Sequence, residues 1–341
     1  MSKPQEKLAV ILFSMGGPDS LAAVQPFLFN LFNDPAIIRL SGLPRRLLAE
    51  FISRKRAKPA TEIYRHLGGR SPLLENSLAQ ANALEAALGL QESIRTFVVM
   101  RYWHPFADEV VQKVKAFDPD RIVLLPLYPQ WSTTTSASSV TDWQRACRKV
   151  GLKKPTRTVC CYPTEPGFIR AMVGLIQPLY QAAANHGPTR VLFSAHGLPE
   201  KIVKAGDHYQ WQCEQTAAAL VAGLGIPSLD WVNCYQSRVG PLKWIGPETS
   251  DEIVRAGRDG VAVVVVPIAF VSEHSETLVE LDIDYRKVAE DANVPAYLRA
   301  PTVGVTPAFI DGLAQLVVSE NKNVSGLCKL NGFQSCCGET L

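Results

Sequence analysis

Ser272-Glu273-His274-Ser275-Glu276 stands where a valine-rich apolar run, Val261 to Phe270, gives way to a helical pattern that begins at Leu278. An imidazole and a carboxylate at such a handover can hold a metal or pass protons near neutral pH. Glu276 is spaced to occupy the first helical turn beside His274, with Glu273 as a more peripheral neighbour. A helix dipole favours glutamate there in any event. A second histidine tips the reading toward chemistry. Ser194-Ala195-His196-Gly197-Leu198-Pro199 directly follows Val191-Leu192-Phe193, and Gly197 permits a sharp turn. His196 therefore also stands at a strand end, suited to a ferrous-type metal or to proton abstraction.

Other segment ends carry binding groups rather than acid–base groups. Met100-Arg101-Tyr102-Trp103-His104-Pro105 offers a guanidinium for a substrate carboxylate and a tyrosine face for a flat ligand. Phe13-Ser14-Met15-Gly16-Gly17-Pro18 closes the first apolar run on a soft, apolar methionine. The loop from Tyr235 to Trp244 is rich in groups that can line a cleft, and Trp244 can stack on a planar ligand. Gly68-Gly69-Arg70-Ser71-Pro72 is a turn before a helix, where the Ser71 hydroxyl and nearby amides can bind an anion. Neither G-x-G-x-x-G nor G-x-x-x-x-G-K-[ST] occurs, which disfavours dinucleotide and P-loop nucleotide binding.

The elements that must position these groups are read from periodicity. Strand-like runs fall at Lys7–Met15, Thr96–Trp103, Arg121–Tyr128, Thr156–Tyr162, Arg190–Ala195, Asp230–Tyr235, Val261–Phe270 and Ala296–Arg299. Helical stretches alternate with them at Ser77–Leu88, Pro105–Ala116, Thr141–Val150, Gly167–Asn185, Trp211–Ala222 and Leu278–Ala292. Such alternation predicts an α/β protein with parallel sheets covered by helices. In sheets of that kind ligands sit at the carboxyl ends of the strands. RIVLLPLYPQWSTTTSASS and GVAVVVVPIAFVSEHSET share one grammar, strand through proline to a hydroxyl-rich turn and a helix. The echo suggests two similar domains, 1–155 and 156–320, joined near residues 151–166, with a cleft between them. Thr306 is a candidate N-cap for a last helix, with Pro307 at its first position, and that helix can pack back on the first domain. Residues 321–341 form a cysteine-containing tail. In residues 40–59, Leu43, Leu47, Leu48, Phe51 and Ile52 share a helical face opposite arginines and lysines. That face suits packing on the domain, a pocket lip, or contact with a membrane surface.

Composition narrows the class. With 47% hydrophobic and 20% charged residues, 341 residues are ordinary for a globular protein and ample for two cores. A net charge of +3 is too small to argue for nucleic acid. The amino end has a polar lead and only a short apolar run, unlike a signal peptide. The longest apolar run, Val261 to Val271, is too short to span a bilayer and contains Pro267. The chain therefore reads as cytoplasmic, and its eight cysteines as mostly reduced.

Taken together, MGGP at 15–18, YRHLGGRSP at 64–72, RYWHP at 101–105, LYPQWSTTTSASS at 127–139, SAHGLP at 194–199, YQSRVGPLKW at 235–244 and SEHSETLVELDIDY at 272–285 resemble the ferrochelatase family. No single motif decides it; their order and shared location at strand ends make the set specific. The resemblance implies two Rossmann-like halves around a porphyrin cleft, without a dinucleotide. It implies insertion of ferrous iron, as substrate, into protoporphyrin IX, completing protohaem. It implies that His196 and Glu276 form the metal-binding and catalytic pair, assisted by His274. Met15, Tyr64, Ser71, Arg101, Tyr102 and Trp244 would contact the macrocycle or its propionates. Methionine at position 15 looks like the branch that uses protoporphyrin rather than coproporphyrin, since it would meet vinyl groups more comfortably than extra carboxylates. A hydrophobic substrate also makes peripheral membrane contact by the 40–59 helix an expectation. Oligomeric state is left open.

Some members of the family carry a [2Fe–2S] cluster on three tail cysteines and one mid-chain cysteine. Cys328, Cys336 and Cys337 crowd this tail, but their C-x7-C-C spacing departs from the animal pattern, and position 133 is threonine. The fourth thiolate that a cluster requires would come from Cys160 or Cys161, only one of which can face it if both lie in a strand. Cys147, Cys213 and Cys234 are expected to pack as small apolar groups. The competing functions are a cobalt or nickel chelatase of another tetrapyrrole, and a non-catalytic porphyrin-binding protein; the latter would not require both His196 and Glu276.

Overall fold

The computed structural model describes residues 6–89 and 93–321. In chain order the first elements are β1 (Leu8–Ser14), α1 (Val24–Phe32), α2 (Gly42–His66), α3 (Leu73–Ala87), β2 (Ile94–Met100), α4 (Ala107–Phe117), β3 (Arg121–Pro126), α5 (Ser136–Val150) and β4 (Thr156–Thr158). Then come α6 (Pro166–Ala184), β5 (Thr189–His196), α7 (Glu200–Lys204), α8 (Tyr209–Leu224), β6 (Asp230–Gln236), α9 (Thr249–Asp259) and β7 (Ala262–Pro267). A π segment (Glu276–Asp284), α10 (Tyr285–Asp291), β8 (Tyr297–Arg299) and α11 (Pro307–Asn321) complete the described chain. Two compact units result, one reaching Cys161 and resuming at Leu313, the other spanning Tyr162–Gly312.

Each unit holds a four-stranded, all-parallel sheet, in the order β2-β1-β3-β4 in the first and β6-β5-β7-β8 in the second. The orders are the same when the strands of each unit are counted from its own start. β3 and β7, which carry the echoed sequences, hold equivalent places and both end on proline, at Pro126 and Pro267. β1 and β7 are buried at every residue, as expected of parallel strands covered on both faces. The neighbours β2 and β6 are buried only over their last three residues, at their carboxyl ends. Sequence order reverses direction between β1 and β3, and between β5 and β7, which is where a doubly wound sheet leaves a crevice. In the first unit Trp143 of α5 meets Phe13 of β1 edge-on at 6.3 Å, within a core shared by α4 and β3. In the second, Ile253, Ala256, Tyr285 and Ala289 close α9 and α10 over Val263 and Val265.

Several boundaries differ from expectation for identifiable reasons. The strand expected at Thr156–Tyr162 stops at Thr158, and it pairs with β3, Ile122 opposite Thr156. Residues 156–161 therefore belong to the first unit rather than to a second domain beginning at 156. The helix around 40–59 continues through Pro59 to His66. The helix expected at Leu278–Ala292 is a π segment followed by α10. Thr306 does precede α11, but its buried hydroxyl makes no hydrogen bond, and its carbonyl accepts instead from the Phe309 and Ile310 amides. Helices α1, α7 and α9 lie outside the stretches read from periodicity, although α9 buries one face, Ile253 and Ala256, over the sheet.

Candidate active site

In the second unit His196 is the last residue of β5. Gly197 then donates its N–H to the Gln236 carbonyl at 2.8 Å. A Cβ at 197 would stand 3.1 Å from both that oxygen and the Trp244 ring, so any side chain there would have to push one of them aside. His196 Nδ1 lies 2.9 Å from Glu276 Oε2, and the histidine side chain keeps 37% of its surface exposed, enough to be reached. Trp244 presents its ring edge-on to the imidazole at 6.5 Å and donates Nε1–H to the Val239 carbonyl.

Glu276 opens the π segment, and its Oε2 also faces His274 Nε2 at 4.0 Å. The other ring nitrogen of His274 is 3.2 Å from the Ser272 carbonyl, which can only accept, so that nitrogen carries the proton. The backbone N–H of His274 donates to Thr277 Oγ1 at 2.9 Å, and the Phe270 ring packs on the imidazole at 4.5 Å. One turn on, Glu280 is bound by four donors: Gln236 Nε2 at 3.1 Å, Ser237 N–H at 2.9 Å, Ser237 Oγ at 2.6 Å and Tyr285 Oη at 3.1 Å. Ser237 adopts φ of +65° to aim both its groups there.

These neighbours set the charges. Burial pushes the Glu276 carboxyl upward, but His196, His274 and the Ser237 hydroxyl outweigh it and hold it well below the usual carboxylate range. Burial pushes the His196 imidazole downward, and the Glu276 carboxylate, with Glu280, overrides it, so His196 is raised. For His274 burial prevails over Glu276 and Glu273, and the ring is held neutral. Burial and the adjacent Glu276 charge both raise Glu280, against the donors that bind it. An ionised Glu276 accepts from His196 Nδ1–H, which leaves Nε2 with the lone pair, free to take a proton or a metal. Neutral His274 turns a second lone pair toward the same carboxylate oxygen, and a divalent cation can be shared between them.

The first unit is organised differently. Arg101 and Tyr102 donate their N–H groups to the Ser14 and Met15 carbonyls, both at 2.9 Å, so the exits of β2 and β1 run side by side. Half-buried Met15 and Trp103 pack against Phe27, Leu28, Tyr64 and Tyr102 in one apolar cluster. A Cβ on Gly17 would fall 2.4 Å from Ser71 Oγ, so glycine lets the Met15 loop and the Ser71 turn touch. Ser71 donates its N–H to the Pro18 carbonyl and its hydroxyl accepts from Leu73 N–H at 3.3 Å, opening α3. Arg101, expected to seek a substrate carboxylate, has one within the unit: its Nη2 is 2.8 Å from Asp34 Oδ2 and its Nε 2.7 Å from Ser138 Oγ. Asp34, 3% exposed, also accepts from the Tyr102 and Ser138 hydroxyls. Burial, then Asp34, raises the Tyr102 phenol well above its ordinary value.

The structure thus gathers His196, His274, Glu276 and Trp244 in one unit, and Met15, Tyr64, Ser71, Arg101 and Tyr102 in the other. Sequence reasoning singled out neither Glu280 nor Asp34, and it noted Ser237 only as part of the cleft-lining loop. Glu280 is signalled by its spacing of four from Glu276; Asp34, in the loop after α1, has no signal. Among the cysteines, Cys328, Cys336 and Cys337 lie outside the described residues. Cys160 is buried and Cys161 half-buried, just past β4. Burial pushes the Cys147 thiol up to about 11, the Cys234 thiol up to about 12, and Cys213 higher still, which disfavours the thiolate in all three.

Comparison with known proteins gives a consistent picture. The Ferrochelatase family model matches residues 7–321. A ferrochelatase of Caulobacter vibrioides is 54% identical over 92% of this chain and 90% of its own. A ferrochelatase of Wolbachia from Drosophila simulans is 52% identical over 92% of this chain and 99% of its own. Among solved structures, SirB from Bacillus subtilis with Fe3+ aligns over 96% of this chain and 99% of its own at a TM-score of 0.54 and 11% identity, a likeness of fold.

Proposed function

This chain belongs to the ferrochelatase family and inserts ferrous iron into protoporphyrin IX in haem synthesis, and we propose that His196 and Glu276 are the residues on which that insertion runs. The observation that carries the reading is the 2.9 Å contact between His196 Nδ1 and Glu276 Oε2 on a reachable imidazole. Insertion exchanges Fe2+ for the two pyrrolic protons of the macrocycle. Glu276, ionised, and His274, neutral, offer oxygen and nitrogen to the arriving iron. His196 Nε2 accepts the two pyrrolic protons in turn, releasing the first before it takes the second, and the carboxylate on its far side stabilises the imidazolium that forms each time. Glu280, with its carboxyl raised, is placed to take a proton onward.

Met15, Tyr64 and Tyr102 supply apolar and aromatic surface for the ring, Trp244 a further face, and Arg101 and Ser71 polar contacts for its propionates. Apolar Met15 favours protoporphyrin over a coproporphyrin with more carboxylates. Leu43, Leu47 and Phe51 on α2 are 68%, 63% and 65% exposed, a stripe that suits peripheral contact with a membrane surface. No helix of the described residues is long and apolar enough to cross a membrane, and a cytoplasmic location with such contact is our reading. Cys328, Cys336, Cys337 and either Cys160, which is disulfide-bonded in the structure, or the free Cys161 would hold a [2Fe–2S] cluster in the reduced protein, since the other cysteines disfavour the thiolate. The cluster would supply iron that can store an electron.

Anaerobic insertion of Fe2+ into protoporphyrin, followed by absorbance, with His196→Ala as the control, tests the assignment. Loss of insertion with porphyrin binding retained is expected; full activity in His196→Ala would remove the pair from the mechanism. Stoichiometric iron and sulfide in anaerobically purified protein tests the cluster.

A further inference from the structure

We infer that Arg299 is a positioning residue for metal handling, clamping both segments that present His274 and Glu276. The inference rests on the reading that these residues meet the iron. Arg299 ends β8, the edge strand next to β7, and its side chain is 9% exposed. Its Nε donates to Asp282 Oδ1 at 3.0 Å, and its Nη2 to Asp282 Oδ2, a two-pronged grip on the π segment. Its Nη1 donates at 2.7 Å to Glu273 Oε1, in the loop immediately before His274. That same carboxylate oxygen accepts from the Thr302 N–H at 2.9 Å. One guanidinium therefore ties the residue before His274 to a residue six beyond Glu276.

The geometry gives this tie consequences. A π segment winds by i→i+5 bonds, a form found mostly as short insertions and frequently at functional sites. Its phase must be held by contacts from outside. β8 supplies them twice: Tyr297 Oη donates to the Leu281 carbonyl at 2.7 Å, and Arg299 grips Asp282. Residues 281 and 282 are thus fixed to the sheet, while Glu276 at the other end points to His196. Without Arg299, Glu273 and Asp282 would be two carboxylates within one half-buried space, repelling each other and turning His274 away from Glu276. A lysine cannot reproduce the planar fork that spans both.

The test measures kcat and separate KM values for Fe2+ and protoporphyrin in Arg299→Lys, Glu273→Gln and Asp282→Asn, with the pH profile and Tm of each. Arg299→Lys is expected to lower kcat/KM for Fe2+ about tenfold, with porphyrin KM within twofold, and to shift the acid limb of the profile. Glu273→Gln and Asp282→Asn are each expected to show part of that loss, and they decide the matter if the lysine variant does not fold. A fall in Tm with unchanged Fe2+ kinetics and an unshifted acid limb would make Arg299 a structural prop and overturn the inference. Glu276→Ala runs alongside. If it keeps full activity, the underlying assignment fails; if it is inactive while the Arg299 variants match the parent, only the clamp fails.

Discussion

The carboxyl edges of the two sheets share a strand order but not a chemistry. After β5 and β7 stand His196, His274 and Glu276, whose charges are set by one another. After β1 and β2 stand Met15, Arg101 and Tyr102, whose charge is cancelled by Asp34 before any ligand arrives. In one unit the ionisable groups are left with unfinished coordination; in the other they are satisfied and serve the packing. A repeated fold therefore supplies two equivalent places, and a few side chains give them different chemistry.

The contrast is open to breaking. The largest expected effect is on turnover: His196→Ala lowers kcat by about a thousandfold, with Tm near that of the parent, as read by insertion assay and thermal melt. Asp34→Ala reverses the balance. It leaves the Arg101 cation without its buried partner and costs about 3–5 kcal/mol of stability, read by denaturant unfolding, with smaller losses in turnover per folded molecule. If Asp34→Ala instead abolished turnover in a stable protein, the first unit would be reactive too. Met15→Ala should raise the porphyrin KM about tenfold with kcat nearly unchanged, the loss of one apolar contact.

A pH profile sharpens the same comparison. His196 is raised above its ordinary value, so activity should fall as pH drops through that raised value, when the imidazole becomes protonated and can neither bind iron nor take a proton. Glu276 is held low and stays ionised across that window. Glu276→Gln removes the charge that raises His196, so the acid limb of the residual activity should move to lower pH. An unmoved limb would separate the two residues. The smallest effect on chemistry belongs to α2: replacing Leu43, Leu47 and Phe51 with serine should leave turnover in detergent unchanged while weakening binding to lipid vesicles, measured by flotation.

Much of the fold and half of the site are legible in the amino-acid sequence. Continuous valine and leucine runs announce doubly covered strands, and His196 and Glu276 are visible because ionisable residues interrupt apolar runs at their ends. Asp34 is not, because a lone aspartate in a loop says nothing about a guanidinium 67 positions away. The π segment is equally hidden: Leu278, Leu281 and Tyr285 satisfy an α-helical period, and only packing against Tyr297 and Arg299 reveals the wider winding. Pro59 misleads in the other direction, since a helix of 25 residues held by its neighbours tolerates one missing donor.

The π segment also makes the length of this stretch part of the site. An α-helix turns by about 100° per residue, so losing one residue between Thr277 and Leu281 would either swing Glu276 and Glu280 off Ser237 or pull Asp282 from β8. Leu278 and Val279 can be exchanged for other apolar residues, but insertions and deletions cannot be absorbed. Across the family, gaps should be absent between Pro267 and Tyr297.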